Sequence, residues 1–191
     1  PTADVFPNQI QLRQPQPLAP AEQEALLRSA SEDEPWALPA ILLMMRSGLT
    51  RSEILALDRG DIDRTGTVGY SVQIETDDVR KPNRTRTLQA GPPFPEAYEA
   101  FLSTVNPEGR LFPVGFQAIN GMVDRVRRRA KIARTVTPRT LRETFIAGRL
   151  AEGVNEEDLL PELGLALDLR NRQSLRRFRP SAPQSTDAET S

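Results

Sequence analysis

The chain contains no cysteine and no histidine. Without cysteine there are no disulfides, thiolate zinc sites or thiol nucleophiles, and without histidine the commonest general base and metal ligand is gone. No hydrolase triad can be assembled, and neither a metal nor a cofactor is expected. Aromatic residues are scarce, with only two tyrosines, Tyr70 and Tyr98. The longest apolar run, Trp36 to Met45, is interrupted by Pro39 and is half the length a membrane span needs. No signal-peptide pattern is present. The expectation is a cytoplasmic protein, nucleoid-associated if bacterial, with no membrane partner.

What is present is enough for one core. With 38% apolar residues in 191, one domain with tails is expected. Residues 1–18 read as a linker from a preceding domain: Pro1 to Pro20 holds five of the 17 prolines, and the first residue is not methionine. Residues 19–180 form the domain, and the polar stretch 181–191 is a disordered tail. The net charge of −1 hides a segregation along the chain. Residues 1–78 carry 6 Lys/Arg against 13 Asp/Glu, residues 79–149 carry 14 against 5, and the remainder 5 against 8. The basic middle block points to a polyanion. Its plainer reading is a solvated face balanced by acidic neighbours.

Hydrophobic periodicity gives a mostly helical α+β domain with a small antiparallel sheet. Helices are expected at 19–30, 34–48, 94–105, 117–133 and 155–163. Thr50 to Glu53 is a capping box opening another, and Thr137 with Pro138 caps and starts one more. Alternation at Val68, Tyr70, Val72 and Ile74 marks a strand, and Arg80 to Ala90 turns through Pro82 and Asn83 into a second, making a hairpin with a basic tip. The helix at 117–133 sets Ile119, Met122, Val123, Val126 and Ile132 on one side. Arg125, Arg127, Arg128, Arg129 and Lys131 lie on the other. Arg139 and Arg142 stand three apart in the first turn after Thr137, where two guanidiniums repel unless an anion lies between them.

The run T-P-R-T-L-R-E-T-F from Thr137 to Phe145, followed by Leu150, Gly153 and Glu162 to Gly164, resembles the second arginine box of the tyrosine recombinases, the phage-integrase family. The stretch S-G-L-T-R-S-E-I-L-A-L-D-R-G-D-I, from Ser47 to Ile62, resembles the first box. The basic hairpin resembles the family hairpin, in which Lys81 falls on the general-acid lysine. The likeness covers about Leu18 to Pro180, with the boxes in order and spacing. It implies the family's catalytic-domain fold, a partner helical domain completing a C-shaped clamp, and double-stranded DNA as the partner. Homo-oligomers or an active recombinase are further partners it implies.

Of the family's chemical groups the resemblance keeps Arg142, Lys81 and Glu53, and the others do not carry over. The first catalytic arginine falls on Thr50, with Arg51 one residue late and rotated by about 100°. The histidine positions fall on Arg139, Glu143 and Leu165, and the nucleophilic tyrosine on Ser174 or, with a four-residue insertion, on Phe178. A phenyl ring has no oxygen to attack a phosphate. One lost transition-state donor lowers the rate by about 10² to 10³. The expectation is therefore a non-enzymatic domain that holds duplex DNA without cleavage. Its candidate phosphate contacts are Lys81, Arg84, Arg86, Arg125, Arg127, Arg128, Arg129, Lys131, Arg139 and Arg142, with Thr50, Arg139, Leu165 and Phe178 at degenerate catalytic positions. Three alternatives stand beside it: a divergent active recombinase using a serine or a partner's tyrosine, a helix-turn-helix regulator built from Gly48 to Val68, and an interaction module that no longer binds DNA.

Overall fold

A computed structural model describes residues 13–67, 69–75 and 85–178. The tip of the expected hairpin, with Lys81 and Arg84, lies outside them, as does the tail 181–191. The first helix, α1 (Pro20–Ser31), opens on a proline. Its N-cap, Ala19, has no side-chain acceptor to offer, so Glu22 reaches back to the Ala19 N–H at 2.8 Å.

The central element is α2 (Ala37–Arg46), eight of whose ten residues are buried, against α1 and four later helices. A helix apolar on nearly all sides has to run through the core, and this one does. It starts later than the expected Glu34. There the chain makes a turn in which Trp36 Nε1 donates to Glu34 Oε2 at 2.8 Å and Ala37 N–H to the Glu34 carbonyl. It ends where Gly48 takes φ +70°, letting the Leu49 N–H return to the Leu43 carbonyl.

Next, α3 (Arg51–Ala56) is opened by the expected capping box: the Glu53 N–H donates to Thr50 Oγ1, and the Thr50 N–H to Glu53 Oε2 at 2.7 Å. A strand not expected from the sequence follows, β1 (Ile62–Thr65), which pairs antiparallel with β2 (Gly69–Ile74) from Ile62↔Val72 to Thr65↔Gly69. I-D-R-T offers a single apolar residue, and the strand is an edge with three exposed positions, so no alternation announces it. On the far side β2 pairs with β3 (Arg86–Ala90), as the hairpin reading expects. Residues 62–65 being strand removes the helix-turn-helix alternative, which needs its second helix there.

The remaining helices are α4 (Phe94–Thr104), α5 (Phe116–Arg129), α6 (Pro138–Ala151), α7 (Glu156–Glu162) and α8 (Leu169–Arg176). α5 stops short of the expected Ala133 because Lys131 adopts φ 58°, turning the Ile132 N–H back to the Arg127 carbonyl. Tyr70, Phe94 and Tyr98 pack as an aromatic group under the sheet. A second, smaller core joins Ile146 of α6 to Leu159 and Leu160 of α7, to Leu163 at its C-cap, and to Leu175 of α8. Among the described residues no helix is long and apolar enough to cross a membrane.

Candidate nucleic-acid interface

The two arginine boxes meet in space. Thr50, Ser52 and Arg142 line two neighbouring clefts. One, of about 520 Å³, is completed by Glu53, Asp58, Asp61, Glu75, Arg110 and Gly164. The other, of about 620 Å³, is completed by Arg51, Asn120, Asp124, Thr135, Thr137 and Arg139. Among the charged side chains, the first holds four carboxylates and two guanidiniums, the second three guanidiniums and one carboxylate. A polyanion is favoured on the second side only.

Glu53 is the hub between the boxes. Its carboxylate accepts from Arg86 Nη1 at 2.7 Å and from Thr50, and stands 3.8 Å from Arg142 Nη1. Burial alone would raise its pKa. The Arg86 hydrogen bond and charge, the Thr50 N–H and the Arg142 charge outweigh that and hold the carboxyl below its usual range. Arg86 is turned inward: its side chain is 8% exposed, and its Nε donates to the Glu162 carbonyl at 2.7 Å. The candidate phosphate contact at Arg86 is thus an internal strut tying α3 and α7 to β3.

Arg142 is occupied in the same way. It donates through Nη1 to the Gly48 carbonyl and through Nη2 to the Leu163 carbonyl at 2.7 Å, clasping the end of α2 to the end of α7. Arg139 is 63% exposed and its Nε donates to Glu143 Oε1 at 2.9 Å. The repulsion expected between these two arginines is answered by carboxylates of the chain itself, Glu143 for one and Glu53 for the other. Glu143 also accepts the Gln16 N–H at 3.0 Å. Beside it Thr144 Oγ1 accepts the Leu18 N–H at 2.9 Å, so residues 16–18 are bound onto α6.

The arginine face of α5 is heavily paired. Arg125 binds Asp33 with Nε and Nη2, the closer contact at 2.6 Å, and reaches Glu34 as well. Arg129 adds a contact to Asp33 at 3.1 Å. The Asp33 side chain is 2% exposed. The Arg125 hydrogen bond, against the opposing effect of burial, keeps its carboxyl below the ordinary range. Arg127 and Arg128 both bind Asp124. These four arginines are balanced by acidic neighbours, as the plainer sequence reading had it. Arg128, at 71% exposed, and Lys131 still face solvent.

Thr50, Leu165 and Phe178, expected at degenerate positions, serve in capping and packing. Thr50 caps α3, and Leu165 and Phe178 both lean on the small core of α7 and α8. Ser174 Oγ accepts from Arg177 at 2.8 Å. Both tyrosines lie in the aromatic group under the sheet, Tyr70 donating to Glu99 and Tyr98 fully buried. Among the described residues no cluster of His, Cys, Asp or Glu could hold a metal ion. Two residues that the sequence did not bring forward, Phe116 and Asn120, come together here with Arg51. Arg51 lies across the Phe116 ring, its Cζ 3.2 Å from the centroid, and its Nη1 donates to Asn120 Oδ1 at 2.6 Å. The contact spans 69 residues of sequence, and no local pattern signals it.

The sequence matches no protein-family model and no curated protein. Solved structures do match in fold. XerA recombinase superposes with a TM-score of 0.70 at 18% identity, over 91% of this chain and 61% of its own. The Tn1549 transposon integrase, in complex with a circular intermediate DNA, gives 0.69 at 18% identity, over 90% and 63%. The catalytic domain of bacteriophage HP1 integrase gives 0.57 at 18% identity, over 88% and 90%. The chain spans about three fifths of the first two. Its fold is that of the tyrosine-recombinase catalytic domain.

Proposed function

We propose that this domain, built on the recombinase fold, holds duplex DNA and does not cut it. The observation that carries the reading is the placement of the two tyrosines. Strand cleavage in this fold family requires an oxygen nucleophile beside the phosphate-binding arginines. Tyr70 and Tyr98 instead sit together in the aromatic group under the sheet, outside both clefts, while Phe178 packs into the small core. Thr50 and Leu165 offer no cationic donor to charge building on a phosphate.

Duplex binding is supported by the guanidinium-lined cleft and by the exposed cations around it, Arg128, Lys131 and Arg139. The Arg128–Asp124 pair is exposed on both sides, and exposed ion pairs are worth about 0 to 1 kcal/mol, so a backbone phosphate can replace Asp124 as partner to Arg128. DNA-bound XerH and Tn1549 integrase structures are among those sharing the fold. Such a domain could occupy or bridge DNA sites or regulate an active recombinase.

The test is a binding series on duplex DNA across salt, paired with a suicide-substrate assay. Engagement of four or five phosphates gives a slope of log affinity against log salt of about −4. No covalent adduct is expected from the wild type, nor from Phe178→Tyr alone, since the other donors are missing as well. Salt-independent association would sink the binding half of the proposal. A wild-type adduct would sink the non-cleaving half.

A further inference from the structure

Within that DNA-holding reading, on which this inference rests, we propose that Arg51 is the principal phosphate-recognising residue of the second cleft, with Phe116 as its platform and Asn120 as a second donor. Three observations converge. Arg139 and Arg142, the other arginines lining the cleft, each stand beside a carboxylate, Glu143 and Glu53. Arg51 lines the same cleft and, among the described residues, has no carboxylate partner. A phosphodiester presents two non-bridging oxygens that a guanidinium fork can bind together.

The geometry is prepared in advance. The guanidinium is stacked on Phe116, a ring 45% exposed at the start of α5, and pinned edge-on by Asn120 one helical turn further along. Ordering a long arginine normally opposes binding, and here the free protein has already done it. Arginine can only donate, so Asn120 must turn its Oδ1 toward Arg51. Its Nδ2 then faces elsewhere, and no acceptor for it occurs among the described residues. Asp124, the carboxylate lining the cleft, is held by Arg127 at 2.5 Å and Arg128 at 2.8 Å, so its charge is answered from α5. The residue that misses the family's arginine position by one step along α3 thus finds a different support, on α5.

The experiment uses the full chain, a 20-base-pair duplex followed by fluorescence anisotropy between about 50 and 200 mM salt, and inorganic phosphate followed by thermal shift. Arg51→Ala should weaken duplex binding by about five- to twentyfold and reduce the salt slope by about 0.9. Arg51→Lys should restore the slope but not the affinity, because charge returns without the fork or the stack. Phe116→Ala should lower affinity with the slope unchanged. Melting curves of the variants confirm that they remain folded. Wild-type binding that Arg51→Ala and Arg51→Lys leave untouched overturns this inference while the DNA-holding reading stands. If duplex fails to bind but phosphate stabilises the wild type and not Arg51→Ala, the site stands and the duplex reading falls. Failure of both ligands overturns both.

Discussion

Replacing Glu53 by glutamine removes one charge and little else. Glutamine also serves at the third position of a capping box, so the start of α3 keeps its reciprocal hydrogen bonds. What changes is Arg86: its guanidinium, 8% exposed, loses the carboxylate 2.7 Å away and retains the Glu162 carbonyl. Removing one partner of a buried pair costs about 3 to 5 kcal/mol, because the other charge stays desolvated without compensation. The Glu162 carbonyl and the 16% exposure of Glu53 place this case at the lower end, about 3 kcal/mol. Set against a total stability of about 5 to 15 kcal/mol, that is a large fraction. With a urea dependence of about 2 kcal/mol per molar, the midpoint should drop by more than 1 M. Trp36, the single tryptophan and buried in the main core, reports unfolding by fluorescence. Glu53→Gln combined with Arg86→Met removes both charges and should be less damaging than the sum of the single changes, with a coupling of about 1 to 3 kcal/mol. A loss under 1 kcal/mol for Glu53→Gln, or strict additivity in the double variant, refutes the hub.

Acid should act on the same carboxylates. Glu53 and Asp33 are held below their ordinary values of 4.5 and 3.8, so the unfolded chain takes up their protons first. Their contribution is complete above those values and lost as pH falls through the lower folded ones; the urea midpoint should be level from pH 7 to 5 and decline below about 4.5, and a level profile down to pH 3 would contradict this. Gly48→Ala should destabilise by about 2 kcal/mol or more, since φ is +70° and the new Cβ would sit 2.5 Å from Phe145 Cδ1; an unchanged melting temperature would refute it. Tyr98→Phe should be neutral or stabilising by up to about 1 kcal/mol, because the buried hydroxyl has no hydrogen-bond partner among the described residues. A loss above 1 kcal/mol would mean that the hydroxyl does have a partner.

The capping signals were readable because they are local. Thr50 with Glu53, Thr137 with Pro138, and Asn155 each open the helix they announce. The central position of α2 followed from apolar residues on nearly every side. β1 was not readable, since an edge strand with one inward residue carries no alternation. At the site, sequence order placed Thr50, Arg139 and Arg142 near one another. It could not reveal where their charges are answered. Glu53 reaches Arg86 across 33 residues and Arg125 reaches Asp33 across 92, and such pairings depend on how helices pack. The stack of Arg51 on Phe116 belongs to the same class, a contact made by the fold between residues far apart in sequence.

The pairing of the α5 arginines with Asp33, Glu34 and Asp124 bears on how fast a DNA-holding domain would meet its partner. A free row of cations projects a field that steers a polyanion from beyond a Debye length, and such encounters reach about 10⁸ to 10⁹ M⁻¹s⁻¹ at low salt. Here four arginines share three carboxylates within a few ångströms, so most of their charge is answered locally and the far field is weak. Capture would then approach the unsteered range of about 10⁵ to 10⁶ M⁻¹s⁻¹. Salt would act chiefly on release, where phosphates and carboxylates compete for the same guanidiniums at contact range. A DNA-holding domain of this kind would meet DNA slowly and let go of it in a salt-dependent way.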